Sequence, residues 1–373
     1  MDAAYLAPAL DRIPGRIAMA RDYVEVAREF MREPCYEYVT GGSAAGITAA
    51  RNLRAFESLS AHPRLMRDLG DAHTRVVLPG APLAHPVLLA PVAHQLLAHP
   101  GAERETARGA SVTGTCLVAS TLSTCTLEEI ASAGGDSPRW FQLYLQPDPA
   151  VTADLVRRAE RAGYSALVIT VDAALQVPGQ RALQSDFRMP PAAKPGNLRD
   201  YPVAATVAAD VGEGRLLRAT ARNTPTWRQL LEVREQTSLP VWIKGVMHPE
   251  DAVAIRDRGF AGAVVSNHGG RGLDGAPASL EVLPSLRRAV GPDYPLLFDG
   301  GIRSGLDAFH AISQGADAVM VGRLQVYALA VAGALGVAHM LRLLREELEV
   351  CMALTGCGSI AAIRAQGGAG QVC

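Results

Sequence analysis

The stretch S-N-H-G-G-R-G-L-D-G, residues 266–275, places a histidine and an arginine three positions apart among glycines. Histidine accepts a proton near neutral pH, and the planar guanidinium of arginine matches a carboxylate. A structural turn needs neither group. We therefore predict that His268 is a general base and that Arg271 binds an anionic substrate. Asp172, at the end of a predicted strand, is a candidate to orient the imidazole and to stabilise its cation.

Short apolar segments that are each followed by a helix-like stretch recur along the chain. They lack the alternation of apolar and polar residues, which is typical of parallel strands buried on both faces. Eight such strand–helix repeats predict an α/β fold, a (β/α)8 TIM barrel. The predicted strands are Pro86–Val92, Cys116–Ser120, Trp140–Leu145, Ala166–Asp172, Pro240–Val246, Gly262–Asn267, Pro295–Asp299 and Ala318–Gly322.

The whole chain, residues 1–373, is predicted to form one domain, with the barrel at residues 86–345. Residues 1–85 are predicted to be an N-terminal helical extension and residues 346–373 a C-terminal tail. Residues 188–225 are turn-rich and too long for an ordinary βα loop, which predicts a mobile loop or lid. The stretch 324–344 is the most membrane-like, but its polar residues favour a buried barrel helix over a span.

Two glycine-rich motifs follow the last two predicted strands, D-G-G-I-R-S-G at residues 299–305 and V-G-R at residues 321–323. Barrels commonly bind a phosphate at this position, because glycines let backbone N–H groups approach and a helix N-terminus favours negative charge. Arg303 and Arg323 would add charge-assisted hydrogen bonds. The alternative is a pair of turns with solvated arginines.

Lys244 lies within an apolar strand, in the sequence W-I-K-G-V. A lysine in such a place is rarely without a partner. It is either part of a structural ion pair or a cation that stabilises negative charge on a cofactor ring.

Composition excludes several classes of function. The 373 residues carry a formal net charge of −1, so a nucleic-acid binder is not expected. The six cysteines form no C-x-x-C pair, and no histidine stands at zinc-finger spacing from them, which favours free thiols and no metal site. The first residues do not form a signal peptide, so we expect a cytoplasmic protein without a membrane anchor.

With these residues described, the chain resembles the FMN-dependent α-hydroxy acid oxidase and dehydrogenase family, which includes glycolate, lactate and 4-hydroxymandelate oxidases and mandelate dehydrogenase. The resemblance runs from about Tyr36 to Cys357. S-N-H-G-G-R-G-L-D-G-A-P is close to the family signature. Further matching motifs, in chain order, are Y-E-Y, A-P-V-A-H-Q, H-P-G-A-E, W-F-Q-L-Y, L-V-I-T-V-D, I-K-G-V, D-G-G-I-R-S-G, V-G-R and M-A-L-T-G-C.

The resemblance implies FMN as the cofactor and a role for each matching residue. The backbone of Val92 and Ala93 would lie along the flavin, and Lys244 would face its N1–O2 edge. Ser266 would lie near the ring. Residues implied to hydrogen-bond the isoalloxazine are Ser120, Gln142 and Thr170. Residues implied to hold the ribityl phosphate are Asp299, Gly301, Arg303, Gly322 and Arg323.

The resemblance also implies how the substrate is held. His268, oriented by Asp172, would take the substrate hydroxyl proton while the α-hydrogen goes to flavin N5; in an alternative account it abstracts the α-proton. Arg271 would bind the substrate carboxylate. Tyr38 and Tyr144 would hydrogen-bond the carboxylate and the hydroxyl.

The chain departs from the family pattern on the substrate side. Gly179 occupies the place of a second carboxylate-binding arginine, and Arg181 lies two residues further on. Either Arg181 replaces that arginine or the pocket has one carboxylate arginine. His94 brings an extra imidazole near the flavin, and Leu122 stands where a tryptophan is common. This leaves room for a bulky, mandelate-like acid.

The resemblance therefore implies a homotetrameric enzyme that oxidises an L-2-hydroxy acid to the 2-keto acid and returns electrons to O2, giving H2O2. The alternatives are a dehydrogenase with another electron acceptor, an oxidative decarboxylation, or altered chemistry on a non-standard substrate. A flavin-binding protein without turnover and another phosphate-binding barrel, such as an FMN isomerase, are less favoured.

Overall fold

Parallel strands close into one barrel around an apolar interior. In a computed structural model of the protein, the described residues are 8–175, 177–202, 214, 217 and 224–369. Within them the barrel has eight strands, all adjacent strands are parallel, and the first pairs with the last. The barrel strands are β3 Val87–Leu89, β4 Leu117–Ser120, β5 Arg139–Leu143, β6 Leu167–Thr170, β7 Val241–Val246, β8 Gly262–Val265, β9 Leu296–Asp299 and β10 Ala318–Val321. The predicted TIM barrel is confirmed, with most strands shorter at their ends than the apolar segments suggested.

The barrel interior is filled rather than open. Inward-facing side chains from all eight strands form one buried cluster, in which the stacked rings of Trp140 and Trp242 lie 5.2 Å apart. Outward-facing residues pack against the surrounding helices in a second, larger cluster. Burial on both faces explains why these strands lack sequence alternation.

Helices follow the strands and wrap the barrel. Several begin at a side-chain cap: Thr126, Asp148 and Ser304 each accept a hydrogen bond from a first-turn backbone N–H. The helices are α1 Tyr23–Val26, α2 Glu33–Thr40, α3 Ile47–Arg54, α4 Ala102–Val112, α5 Leu127–Gly134, α6 Pro149–Arg161, α7 Gln180–Gln184, α8 Trp227–Glu235, α9 Pro249–Asp257, α10 Ser279–Val290, α11 Gly305–Ser313, α12 Arg323–Thr355 and α13 Ile360–Ala369.

The N-terminal segment is not helical throughout, which corrects the prediction for residues 1–85. An antiparallel hairpin, β1 Val76–Leu78 and β2 Ala81–Leu83, precedes the barrel. The indole N–H of Trp242 donates to the Pro79 carbonyl in its turn at 3.1 Å. The hairpin therefore lies against the end of the barrel interior, opposite the carboxyl ends of the strands.

The C-terminal segment also differs from the prediction. Residue 346 lies inside α12, which continues to Thr355, and α13 follows, so a tail does not begin there. The backbone of α12 is non-helical at Ala332 and Gly333, so two helices meet there at a kink. Among the described residues, α12 alone is long and apolar enough to cross a membrane, and 78% of its most apolar window is buried in the protein. This agrees with the interpretation of 324–344 as a buried barrel helix.

The predicted lid begins as a segment packed on the barrel. Ala193 is fully buried, and the Asn197 side chain accepts from the Leu127 backbone N–H and donates to the carbonyls of Ser120 and Thr121. Residues 203–213, 215–216 and 218–223 of the lid prediction lie outside the described residues. Residues 188–202 follow α7 and contact the end of β4 and the start of α5 through Asn197.

Candidate active site

His268 and Asp172 meet at the carboxyl end of the barrel, where β8 and β6 end. The Nδ1–H of His268 donates to Asp172 Oδ1 at 2.8 Å, which leaves Nε2 as the proton-accepting nitrogen. Burial opposes the charge of Asp172, but the facing His268 and Lys244 outweigh it and hold the pKa of that carboxyl below its usual value. Asp172 is therefore an anion that can stabilise an imidazolium.

The backbone of the histidine loop adopts an uncommon conformation. His268 has a φ of 58°, in the left-handed region, and the two glycines after it continue there. The His268 N–H donates to Ser266 Oγ at 3.1 Å, and the Arg271 N–H donates to the His268 carbonyl at 3.2 Å. These contacts direct the imidazole towards Asp172 across the barrel mouth.

Lys244 lies next to this pair and is itself ion-paired. Its ammonium donates to Ser266 Oγ at 2.8 Å and contacts Asp299 Oδ2 at 2.9 Å, while Ser266 donates to Asp299 Oδ1 at 2.6 Å. Burial opposes the charge of Lys244, but Asp299 and Asp172 outweigh it and hold the pKa above its usual value. A fixed positive charge therefore faces the cavity.

Arg271 and two tyrosines form the opposite wall. The Arg271 guanidinium donates to the carbonyls of Tyr38 and Gly41, at 2.9 and 3.2 Å, and its Cζ lies 4.7 Å from the centre of the Tyr38 ring. Burial raises the pKa of Tyr144 to about 12, so this residue presents a neutral hydroxyl donor. Phe187, which sequence analysis did not identify, stacks on Tyr38 with ring centres 4.1 Å apart.

Glycines and arginines form the far end of the cavity. Gly301 has a φ of 98°, and a Cβ there would lie 2.4 Å from the Asn52 carbonyl oxygen, so a side chain does not fit. Arg323 donates to the carbonyls of Val39, Gly269 and Gly41, which leaves two of its five N–H groups for a ligand. Burial lowers the pKa of Arg323 to about 10, and it stays cationic at neutral pH.

The cavity fits a flavin mononucleotide. It runs from Tyr144 to Arg303 and is open at its mouth. Among the described residues, Gln142 Nε2 and Thr170 Oγ1 are buried without a hydrogen-bond partner. Two orphaned polar atoms at one end, with a glycine cradle and arginines at the other, suit a molecule with a polar ring and a phosphate.

The structure brings most of the predicted site residues together. Those that line the cavity are Tyr38, Val92, Ala93, Ser120, Tyr144, Thr170, Lys244, His268, Arg271, Asp299, Gly301, Arg303, Gly322 and Arg323. Three lie directly behind this lining: Asp172 behind His268, Gln142 accepting from Ser120, and Ser266 between Lys244 and Asp299. Asp299 pairs with Lys244, which differs from its predicted contact with the ribityl phosphate.

Arg181 is not part of the cavity. Its Nε donates to Glu37 Oε2, and its side chain is 46% exposed. A hydrogen bond from Arg181 lowers the pKa of Glu37, which keeps the pair charged. Gly179 cannot carry an arginine on this backbone, because a Cβ there would lie 2.1 Å from the Gly42 carbonyl oxygen. The suggestion that Arg181 replaces the missing arginine is therefore not supported by its position.

His94 lies in the cavity wall, as its place beside Val92 and Ala93 suggested. Its Nδ1–H donates to the Ala193 carbonyl at 2.7 Å. Burial lowers its pKa, so the ring is neutral at physiological pH and Nε2 is the nitrogen that can meet a bound molecule. The contact also joins the cavity to the segment at residues 188–202.

Comparisons with known proteins agree with this geometry. The family model of FMN-dependent dehydrogenases matches residues 27–367. The chain is 56% identical over 353 residues to an L-lactate oxidase of Alicycliphilus denitrificans, covering 95% of this chain and 96% of that protein. It is 41% identical over 345 residues to a 4-hydroxymandelate oxidase of Amycolatopsis orientalis, covering 92% and 96%.

A solved structure is similar over the same length. The crystal structure of mandelate oxidase with (S)-2-phenylpropionate superposes with a TM-score of 0.84, at 39% identity, covering 93% of this chain and 96% of that chain. The matched family model spans the barrel and every residue of the cavity described above. The chain belongs to the FMN-dependent dehydrogenase family of 2-hydroxy acid oxidases.

Proposed function

We propose that this enzyme oxidises an L-2-hydroxy acid to the 2-keto acid and reduces O2 to H2O2. The observation that carries the proposal is the His268–Asp172 pair, joined at 2.8 Å in the same cavity as Arg271 and Lys244. A base, a carboxylate ligand and a fixed cation are the groups that hydroxy acid oxidation needs. The overall reaction balances as hydroxy acid plus O2 giving keto acid plus H2O2.

Each polar residue of the cavity has a separate role in the proposed reaction. Arg271 and the Tyr38 hydroxyl bind the substrate carboxylate, and the neutral Tyr144 hydroxyl bonds to the substrate oxygen. His268 Nε2 removes the hydroxyl proton, and the anionic Asp172 stabilises the resulting imidazolium. FMN held in this cavity would supply the two-electron acceptor for the substrate α-hydrogen and would be reoxidised by O2. Lys244 would place its positive charge beside the ring, where negative charge would develop on reduction.

We infer that the substrate has a bulky or aromatic side chain. Leu122 and the neutral His94 line the wall that such a side chain would meet. Relatives named as mandelate and 4-hydroxymandelate oxidases support this inference, while the relative named L-lactate oxidase makes lactate the necessary comparison. Cytoplasmic location and a homotetramer stay predictions from the sequence.

The direct test is anaerobic reduction of the bound flavin by a panel of 2-hydroxy acids, with both enantiomers of mandelate and lactate. We expect bleaching of the oxidised flavin band by the S acids, and recovery in air with one H2O2 formed for each keto acid. Bleaching that air reverses slowly would indicate a dehydrogenase, and CO2 release would indicate decarboxylation. A flavin that no acid bleaches would contradict the proposed function.

Leu122→Trp tests the side-chain inference separately. An indole at this position narrows the wall, so we expect kcat/KM for (S)-mandelate to fall relative to that for L-lactate by about tenfold or more. If the wild-type enzyme prefers lactate and Leu122→Trp does not change that preference, the inference of a bulky substrate is refuted. The assignment as an oxidase would not be affected.

A further inference from the structure

Asn52 lies outside the barrel, on α3, yet it contacts the loop that carries His268. Its side-chain amide pairs reciprocally with that of Asn267: each Nδ2 donates to the other residue's Oδ1, both at 2.8 Å. Both residues are buried, with 2% and 7% of their surfaces exposed. A reciprocal amide pair fixes both side chains, because each supplies a donor and an acceptor to the other.

Asn267 transmits this constraint to the histidine loop. Its Oδ1 also accepts from the Gly270 N–H at 3.1 Å, and its backbone N–H donates to Ser279 Oγ at 3.1 Å. His268 is the next residue in the chain and has a positive φ. This backbone conformation is unfavourable for a residue with a side chain, so it persists where neighbouring contacts hold it.

Asn52 also touches the loop after β9. Its Oδ1 accepts from the Ser279 N–H at 3.3 Å, and Ser279 Oγ would lie 2.9 Å from a Cβ on Gly300. The Asn52 carbonyl oxygen would lie 2.4 Å from a Cβ on Gly301. One residue therefore contacts the loop of the base and the glycine cradle of the cofactor phosphate.

We propose that the side chain of Asn52 is a positioning group that holds His268 in contact with Asp172. The proposal rests on the proposed function of the cavity. Asn52 itself touches no reacting atom, since it acts through Asn267. Loss of its amide would release the histidine loop and lengthen the His268–Asp172 hydrogen bond, whereas the backbone carbonyl of Asn52 beside Gly301 would stay in place.

Thr48 provides a matched control one turn earlier on α3. It is fully buried, and its hydroxyl donates to the carbonyls of Leu273 and Ala276, further along the segment that follows the histidine. Thr48→Val removes these bonds while keeping the shape of the side chain. A role limited to stability would give similar losses of thermal stability in Thr48→Val and Asn52→Ala, with no change at the base.

The first measurement needs no substrate. Protein labelled with 15N-histidine gives a signal for the Nδ1–H that is hydrogen-bonded to Asp172, assigned by its absence in His268→Asn. We expect this signal to shift or to be lost in Asn52→Ala and to be retained in Thr48→Val. An unchanged signal in Asn52→Ala would overturn the proposal, whatever the substrate of the enzyme.

The second measurement uses flavin reduction by the best acid of the panel. A base displaced by about 1 Å reacts about a hundredfold more slowly, so we expect the rate of flavin reduction to fall by about 10- to 100-fold in Asn52→Ala. If wild-type enzyme reduces its flavin and Asn52→Ala does so at the same rate, the positioning role of Asn52 is refuted and the proposed function is not. No reduction in wild type would refute the proposed function, while the NMR result would still decide the positioning.

Asn52→Asp covers the case in which the alanine variant does not fold. The introduced carboxyl keeps the size of the side chain and the acceptor for Asn267 Nδ2, but lacks the donor to Asn267 Oδ1 when ionised. Protonation restores that donor, so we expect the reduction rate relative to wild type to recover as pH falls. A ratio that is independent of pH would contradict the hydrogen-bond role.

Discussion

The two ends of the barrel use histidine in opposite ways. At the carboxyl ends of the strands, His268 donates its Nδ1–H to the anionic Asp172 at 2.8 Å, which leaves Nε2 as the acceptor. At the other end, His85 is buried just before β3; it accepts from the Val87 N–H at 3.3 Å and its Nε2 lies 3.0 Å from the Thr115 hydroxyl. Burial lowers the pKa of His85 to about 4.

The difference lies in burial and in the partner. Burial of His85 disfavours its charged form, and the Val87 N–H needs the ring nitrogen as an acceptor, which protonation would remove. The carboxylate beside His268 instead stabilises a positive charge that forms during the reaction. One histidine is therefore equipped to change its charge during a reaction, and the other is fixed in its neutral form. This agrees with the general division of such barrels into a catalytic end and a stabilising end.

The largest expected effect comes from removing the base. His268→Asn should lower the rate of anaerobic flavin reduction by about 10²- to 10⁴-fold, because it removes the imidazole that Asp172 orients to take the hydroxyl proton. FMN content should stay normal, as measured by the absorbance ratio of flavin to protein. Rapid reduction in this variant would contradict the assignment of His268.

The matching change at the other end should affect stability instead. Above pH 6.5 His85 is neutral in both the folded and unfolded states; on acidification the unfolded chain takes up a proton that the folded chain resists. Stability is therefore lost between pH 6.5 and about 4, by about 3 kcal/mol from this residue. His85→Asn should flatten this part of the pH profile, measured by urea unfolding.

Arg271→Lys tests the substrate end. Lysine keeps the charge but loses the planar pair of donors, so we expect KM for the hydroxy acid to rise about 10- to 100-fold. The rate of flavin reduction at saturation should fall less than in His268→Asn. Equal substrate affinity in wild type and variant would show that the carboxylate binds elsewhere.

Arg181→Gln should have the smallest effect. Arg181 lies outside the cavity, so we expect KM for the hydroxy acid to change by no more than about twofold. Its pair with Glu37 is partly exposed, and such pairs contribute less than about 1 kcal/mol to stability. Steady-state kinetics on the same acid provide the measurement. A rise in KM comparable to that of Arg271→Lys would mean that Arg181 leaves Glu37 to bind the carboxylate.

Sequence predicted the barrel and the inner part of the site for the same reason. Strands buried on both faces appear in the sequence as continuous apolar segments, and a polar residue near the end of such a segment, such as Thr170 or Lys244, is predicted to face the mouth. Because all strands of a parallel barrel end at the same rim, these polar residues are predicted to be neighbours from the strand assignments alone.

The position of a side chain could not be predicted from the sequence where it depends on long-range contacts or on the path of a loop. The Asn52–Asn267 pair joins residues 215 positions apart and follows no local pattern. Arg181 was considered from its spacing, but its direction is set by the close approach of Gly179 to Gly42. The hairpin before β3 has strands of three residues, too short to give a periodic signal.

The anchoring of Arg323 has a consequence for biosynthesis. Its guanidinium bonds to the Val39 carbonyl, made 284 residues earlier in the chain. This hydrogen bond cannot form until the last barrel strand and Arg323 have left the ribosome. Contacts between residues so far apart in the sequence form slowly. An incomplete chain lacks the arginine that closes the cavity, so we expect no cofactor loading before synthesis of the barrel is complete.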